Sequence, residues 1–349
     1  MSAPQKIRIA VLGASGYTGA DLVRLAACHP HIEVVALAAK THAGQAMAEV
    51  FPHLGLIDAP DLVDAADVDW SSCDAVICGL PHRAAHEIIA GLPDHLKVVD
   101  MSADFRLRDP EVYAATYGET HGAPHLLEDA VYGLTEHYRD VVRTARLVAC
   151  PGCYPTAALL ALLPLVKAGL VDASDIIIDA KSGVSGAGRA LKQNVLFTEA
   201  GEGLSPYAIA AHRHAPEIEQ ELSKAAGAQL VVNFTPHLVP MSRGELLTCY
   251  LRLADGASVA ALREALAADY RDAAFVHVTP EGMIPATQHV RGSNYCLIGV
   301  FEDRVPGRVI VISTLDNLVK GSAGQALQNF NLMFDLPETT GLEQKPLFP

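Results

Sequence analysis

Residues 6–19 read KIRIAVLGASGYTG, and this stretch decides the fold. A β-rich apolar run ends on Gly13, and a helical pattern follows from about Thr18 to Cys28. Gly13, Gly16 and Gly19 fall between them at spacings of three. A strand that turns tightly into a helix, with few side chains in the turn, brings backbone N–H groups and the positive end of the helix dipole to a pyrophosphate. Gly13, Ser15, Gly16, Tyr17, Thr18 and Gly19 therefore make a candidate dinucleotide cradle. A helix-capping loop without a ligand is the plainer alternative.

The next strand, IEVVALAA (32–39), selects the cofactor. An NAD site usually closes this strand with Asp or Glu on the ribose diol. Here the chain continues Lys40-Thr41-His42 with no acid. A lysine beside a hydroxyl and an imidazole attracts a 2′-phosphate, so NADP is expected, with Lys40 and Thr41 as its contacts.

Short apolar runs follow at 75–80, 97–101 and 146–150, with helical segments between several of them, such as RAAHEIIAGL at 83–92. Strand–helix alternation predicts an α/β Rossmann-type, doubly wound parallel sheet. Beyond Cys150 the pattern changes. A helix is predicted from Pro155 to Lys167. Strand-like runs then dominate at 176–183, 229–238, 245–253, 274–280, 294–302 and 308–314, with a helix near 258–270. This predicts an α+β substrate and oligomerisation domain with a mixed or antiparallel sheet. The expected division is 1–152 and 153–318. A last helix at about 319–334 is expected to return to the first domain, so that 319–349 completes it.

The chain has 349 residues, 26 of them Lys or Arg and 40 Asp or Glu, for a formal charge of −14. Nucleic acid and anionic membranes call for a basic face, so neither is expected as a partner. The longest apolar run, 157–166, is about half the ~20 residues of a membrane span and contains Pro164. No secretory signal is visible at the start, and seven irregularly spaced cysteines do not form a disulfide framework. A cytoplasmic protein is expected.

Two further stretches carry chemistry. Ala149-Cys150-Pro-Gly-Cys153-Tyr-Pro-Thr156 lies where a strand ends and a helix begins. The helix dipole there favours a thiolate, and the backbone N–H groups can face an oxyanion. A nucleophile fits best. A redox C-x-x-C pair and a buried structural cysteine are the rivals; a metal site is not expected, because no second C-x-x-C exists. Tyr207-Ala-Ile-Ala-Ala-His212-Arg213-His214-Ala-Pro216-Glu217 is the densest titratable stretch. Pro216 predicts a helix beginning just after His214. His212 or His214 is the candidate acid/base, with Glu217 able to orient an imidazole; a polar helix entry is the alternative.

At these residues the chain resembles the N-acetyl-gamma-glutamyl-phosphate reductase family, related to aspartate-semialdehyde dehydrogenase. The likeness runs from about residue 6 to 335. It rests on GASGYTG (13–19), GLPH (79–82), DMSADFRL (100–107), PGCYPT (151–156), SGVSGAG (182–188), HRHAPEIEQ (212–220), TPHLVPMSRG (235–244) and DNLVKGSAGQALQN (316–329). The resemblance implies Cys153 as the nucleophile, His212, His214 and Glu217 as its catalytic partners, and further NADP contacts at Leu80, Pro81, Asn317 and Lys320. It implies a homodimer or homotetramer, an acyl-phosphate substrate and inorganic phosphate as product. The activity implied is NADPH-dependent reduction of N-acetyl-L-glutamyl 5-phosphate through a cysteine thioester. A sister reductase acting on aspartyl phosphate or a carrier-bound aminoadipyl phosphate is the alternative. Such a substrate is anionic at both ends. Arg106, Arg189, Arg213 and Arg243 are the candidate cations and Ser185 a candidate hydroxyl. One position departs from the family: Asn often precedes Pro-Gly-Cys, and here it is Cys150.

Overall fold

A parallel strand covered on both faces reads as a continuous apolar run, and β1 (Ile7–Leu12) does so: Ile9 through Leu12 are wholly buried. The computed structural model describes residues 6–349. Two units form, one running through Pro151 and taking in Ser322–Glu343, the other Gly152–Gly321 with Gln344–Pro349.

In the first unit β1 leads to α1 (Tyr17–Ala26), β2 (Ile32–Ala38), the short α2 (Met47–Val50) and β3 (Leu62–Val63). The chain continues through β4 (Ala75–Cys78), α3 (Ala85–Ala90), β5 (Lys97–Asp100) and α4 (Pro110–Tyr117). It closes this stretch with β6 (Val131–Tyr132), α5 (Thr135–Thr144) and β7 (Leu147–Ala149). The seven described strands lie in the order β3-β2-β1-β4-β5-β7-β6, and every pairing is parallel. From β1 the chain winds outward to β2 and β3, then crosses back to β4 on the other side. That reversal opens a crevice beyond the carboxyl ends of β1 and β4, where ligands of such sheets bind. The doubly wound parallel sheet is as the alternation predicts.

The second unit begins with α6 (Cys153–Lys167), whose residues Tyr154 to Val166 are all buried. A helix apolar all round is a core helix, and α6 lies on β8 (Val171–Gly183), β11 (Glu245–Leu253) and β14 (Arg308–Leu315). At about 1.5–3 kcal/mol per buried leucine, it is a major source of this unit's stability. Between β8 and β11 come α7 (Phe197–Ala200), β9 (Ser205–Pro206), α8 (Ala215–Ala226) and β10 (Asn233–Val239). Then come α9 (Val259–Asp269), β12 (Val276–Val278) and β13 (Cys296–Glu302). The order is β12-β13-β14-β11-β8-β10-β9, with β8/β10 and β12/β13 parallel and the remaining neighbours antiparallel, so the sheet is mixed. Strand β8 starts five residues before its apolar run at 176. Its polar beginning is held by pairing of Val171 with Leu253 and by Arg308 on Asp175 at 2.6 Å.

The segment expected to return whole to the first unit is divided. Val319–Ala323 is a π-helical turn rather than α-helix, closed by the Gly321 N–H on the Asp316 carbonyl at 2.9 Å. Helix α10 (Gly324–Met333) packs on α5, β5 and α1, whereas residues 319–321 and 344–349 belong to the second unit.

Candidate active site

The glycine loop is built by close approach. Gly13 sits at φ +78°, and a Cβ there would fall 2.5 Å from the Gly79 carbonyl oxygen, so only glycine fits. A Cβ on Gly19 would fall 2.4 Å from the Gly13 oxygen, which lets α1 press against the loop. The N–H groups of Gly13 and Ala14 bond the Ala38 carbonyl and fasten the loop to the end of β2. No side chain caps α1 at Gly16, and its first turn carries no acid. That arrangement fits an anionic diphosphate. Exposed Lys40 and Thr41 lie two and three residues past Ala38 in a 3-10 turn, and Leu80 and Pro81 follow Gly79 beside Gly13. The first unit thus gathers Gly13 to Gly19, Lys40, Thr41, Leu80 and Pro81 around one set of strand ends.

Cys153 is the first residue of α6, half-buried, with Gly152 as the N-cap. Glu217, in the first turn of α8, is buried and accepts the Gly152 N–H at 2.9 Å. That bond ties the Glu217 carboxylate to the turn that carries the thiol. Helix α8 starts at Ala215 with Pro216 in its first turn, as predicted, which places His212 and His214 just before it. Cys153, His212, Arg213 and His214 line one cavity of about 210 Å³ with Tyr154, Tyr207, Ser182, Lys192 and Asn194.

The histidines pack edge to face, 4.7 Å between ring centroids, and His212 also packs against Tyr154, Tyr207 and Phe234. The His212 Nδ1 accepts the His214 N–H at 3.1 Å. A neutral His212 ring must then carry its hydrogen on Nε2 and present a donor. Burial, with Arg213 adding to it, lowers His212 to about 4, so the ring is neutral near pH 7. Tyr207 donates to the Tyr154 hydroxyl at 3.3 Å, which donates to the His237 carbonyl at 3.3 Å. Burial raises both phenols, so they stay protonated donors.

The other expected residues are placed differently. Arg106 is buried, with Nε on the Cys150 carbonyl and Nη2 on the Met101 carbonyl, both at 2.8 Å. It braces the turn after β5 against the end of β7. Asn317 is buried in the second unit, accepting the Gly244 N–H and donating to the Ser185 hydroxyl, each at 2.9 Å. Ser185 is thereby engaged by Asn317, and Lys320 is wholly buried in the π-helical turn. Arg243 lies 3.6 Å from Asp316, and Arg189 is exposed in the glycine-rich loop. Of the four arginines, only Arg213 is among the residues lining the cavity, and Lys192 joins it there without having been anticipated.

Glu245 was also not anticipated. It begins β11, wholly buried, in register with Ser182 on one side and Leu315 on the other. Its carboxyl interacts with the Cys153 thiol, and burial raises it to about 8. The one available signal was the phase of ELLTCYLRL, which puts Glu245 on the same face as Leu247, Cys249 and Leu251.

Two family models match the chain: the NAD binding domain of semialdehyde dehydrogenase over residues 8–145, and the dimerisation domain of semialdehyde dehydrogenase over residues 153–317. An N-acetyl-gamma-glutamyl-phosphate reductase of Rhodospirillum rubrum is 56% identical over 350 residues, covering 99% of each chain. The chain belongs to the N-acetyl-gamma-glutamyl-phosphate reductase family. A probable chloroplastic member from Oryza sativa is 54% identical, over 99% of this chain and 83% of the rice protein. The fold is shared with aspartate semialdehyde dehydrogenase II of Vibrio cholerae, at a TM-score of 0.71 and 16% identity over 95% of this chain and 99% of that one. An aspartate semialdehyde dehydrogenase of Candida albicans, solved with NADP, superposes at a TM-score of 0.69 with 18% identity, over the same shares of the two chains. The departure at Cys150 is accommodated inside the first unit. Its thiol is wholly buried and accepts the Asn329 amide at 3.5 Å. All seven cysteines are free thiols. Among the described residues, no group of three or more His, Cys, Asp and Glu is placed to hold a metal, and no helix is long and apolar enough to cross a membrane.

Proposed function

We propose that this protein reduces N-acetyl-L-glutamyl 5-phosphate to N-acetyl-L-glutamate 5-semialdehyde and phosphate with NADPH, a step of arginine biosynthesis in the cytoplasm. The observation that carries the reading is Cys153 at the start of α6, lining one cavity with His212, His214 and Arg213. The identity of the named relatives supports the substrate.

Cys153 thiolate attacks the acyl carbon. The C–S bond forms, and the C–O bond to phosphorus breaks with its electron pair leaving on phosphate. The thioester on Cys153 separates a difficult displacement from a difficult reduction. Gly13 to Gly19 hold the dinucleotide's diphosphate, Lys40 and Thr41 select the 2′-phosphate, and Leu80 and Pro81 flank the loop. Bound NADPH supplies the hydride that the thioester carbonyl accepts. The His212 Nε2–H donates to the tetrahedral oxygen, an interaction strongest when that oxygen is anionic. His214 is the remaining acid/base candidate. Collapse returns the C–S electron pair to sulfur and frees the aldehyde. Glu217 keeps the Cys153 turn in place throughout. Arg213 and Lys192 supply positive charge to the anionic substrate, with Arg106 supporting the scaffold. Asn317, Ser185 and Arg243 brace the second unit, and Lys320 is a further candidate contact for NADP.

The match to a dimerisation domain supports a homodimer or homotetramer. Exposed Leu191 and Phe197 supply apolar surface for such an interface. The test is Cys153→Ser, assayed with N-acetylglutamate semialdehyde, phosphate and NADP, beside aspartate semialdehyde as the rival substrate. Loss of phosphate-dependent NADP reduction is expected. Retained turnover, or preference for the aspartate compound, overturns the reading.

A further inference from the structure

Glu245 interrupts an apolar stripe. The buried phase of β11 runs Glu245, Leu247, Cys249, Leu251, and α6 packs on this strand. Burying a carboxylate without a compensating partner is costly, so a glutamate in this phase asks for a reason. Among the described residues, no N–H or O–H donor meets either carboxyl oxygen. Its register neighbour Ser182 lines the cavity that holds Cys153, and its other neighbour Leu315 meets Gly321, which lies against the Cys153 Cβ, so the thiol at the start of α6 is the polar group that the packing brings toward this carboxyl.

The other titratable groups acting in this neighbourhood are Asp316, after β14, and Tyr154 and Tyr207. Asp316 opposes ionisation of Glu245, while its own carboxylate accepts the N–H groups of Gly292, Leu318 and Val319 and lies 3.6 Å from Arg243. The two phenols are protonated donors. His212 is unsuited to take the thiol proton, because its Nδ1 is already an acceptor for the His214 N–H.

We propose that Glu245 is a further catalytic residue, sharing one proton with the Cys153 sulfur. This rests on Cys153 being the nucleophile. As sulfur attacks, the S–H bond breaks, its electron pair stays on sulfur, and the proton forms an O–H bond on Glu245. When the thiohemiacetal collapses, the C–S pair returns to sulfur and the neutral carboxyl donates a hydrogen bond to it. No oxidant or reductant is involved. Only the carboxylate can take the thiol proton, so the step runs from the singly ionised pair, and the pair's negative charge passes to the acyl oxygen as the C–S bond forms. A carboxyl raised to about 8 is close to the ordinary thiol value of about 8.5, so the transfer is nearly balanced.

The experiment follows Cys153 alkylation by iodoacetamide against pH in the full chain, with the labelled peptide identified by mass spectrometry. Two coupled groups lose their protons in two steps, so the parent is expected to give a two-step profile. Glu245→Gln keeps the shape and removes the ionisation. It is expected to give one step, with kcat about 100-fold lower and the semialdehyde KM nearly unchanged. Superimposable profiles in parent and variant, or a single step in the parent, overturn the proposal. Should Glu245→Gln not fold, infrared difference spectra of parent against Cys153→Ser decide. A protonated-carboxyl band is expected to disappear at lower pH in Cys153→Ser, because no thiolate then opposes ionisation. A band that does not move, or no carboxyl band, overturns it. Turnover by Cys153→Ser tests the nucleophile, whereas these titrations test the pair, so the two readings fail separately.

Discussion

Glu245→Gln also tests the burial reasoning through stability alone. Burial raises the folded carboxyl to about 8, against an ordinary glutamate value of 4.5. Between those values the folded chain keeps a proton that the unfolded chain has lost. Stability of the parent therefore falls as pH climbs from about 4.5 to about 8 and is flat in this respect above that. At about 1.4 kcal/mol per pH unit the interval corresponds to a ceiling of roughly 5 kcal/mol, which relaxation around the charge will reduce. The variant has no such ionisation. Urea unfolding followed by circular dichroism, for both proteins at about pH 5 and about pH 8.5, gives the comparison. The stability difference is expected to swing toward the variant by about 2–4 kcal/mol over that range. A swing below about 1 kcal/mol means the carboxyl ionises freely where it sits, and the reasoning fails.

Gly321→Ala puts a Cβ 2.7 Å from the Cys153 Cβ; displacing the nucleophile should cost about 10- to 100-fold in kcat with the NADP KM unchanged, and equal kcat would show that the turn yields without loss. His212→Ala should lower kcat about 100-fold and His212→Asn should recover part of it, because an amide restores a neutral donor. Since His212 titrates near 4, parent and His212→Asn should give the same shape of pH profile between about pH 5.5 and 8. Lys40→Glu should lower kcat/KM for NADP about 10-fold while leaving NAD less affected, read from steady-state rates with each cofactor.

Much of the fold was legible locally. Ile9 to Leu12 form a continuous apolar strand that ends on glycine, and a helix opens at once, so a parallel sheet with a phosphate loop follows from a dozen residues. ELLTCYLRL coincides with β11, and Pro216 marks the start of α8, because alternation and a missing N–H are local facts. The polar start of β8 was not legible: Asp172, Ser174 and Asp175 become strand because distant Leu253 pairs with Val171 and Arg308 holds Asp175. Nor was the π-helical turn at 319–323, which depends on the Asp316 carbonyl receiving Gly321.

The site divides the same way. The sequence by itself determined which groups could react: a thiol before a helix, two imidazoles before another, a glycine loop without an acid at the end of the following strand. Their identities and spacing along the chain are enough for that, because helix starts and tight turns are set by neighbours a few residues apart. Only the tertiary structure decided the pairings. It turned Glu217 toward the Gly152 N–H, committed Arg106 to carbonyls, fixed the His212 hydrogen on Nε2 and set the Glu245 carboxyl beside sulfur. Those outcomes depend on burial and on partners far away in sequence, and burial is a property of the packed core that no local stretch possesses alone.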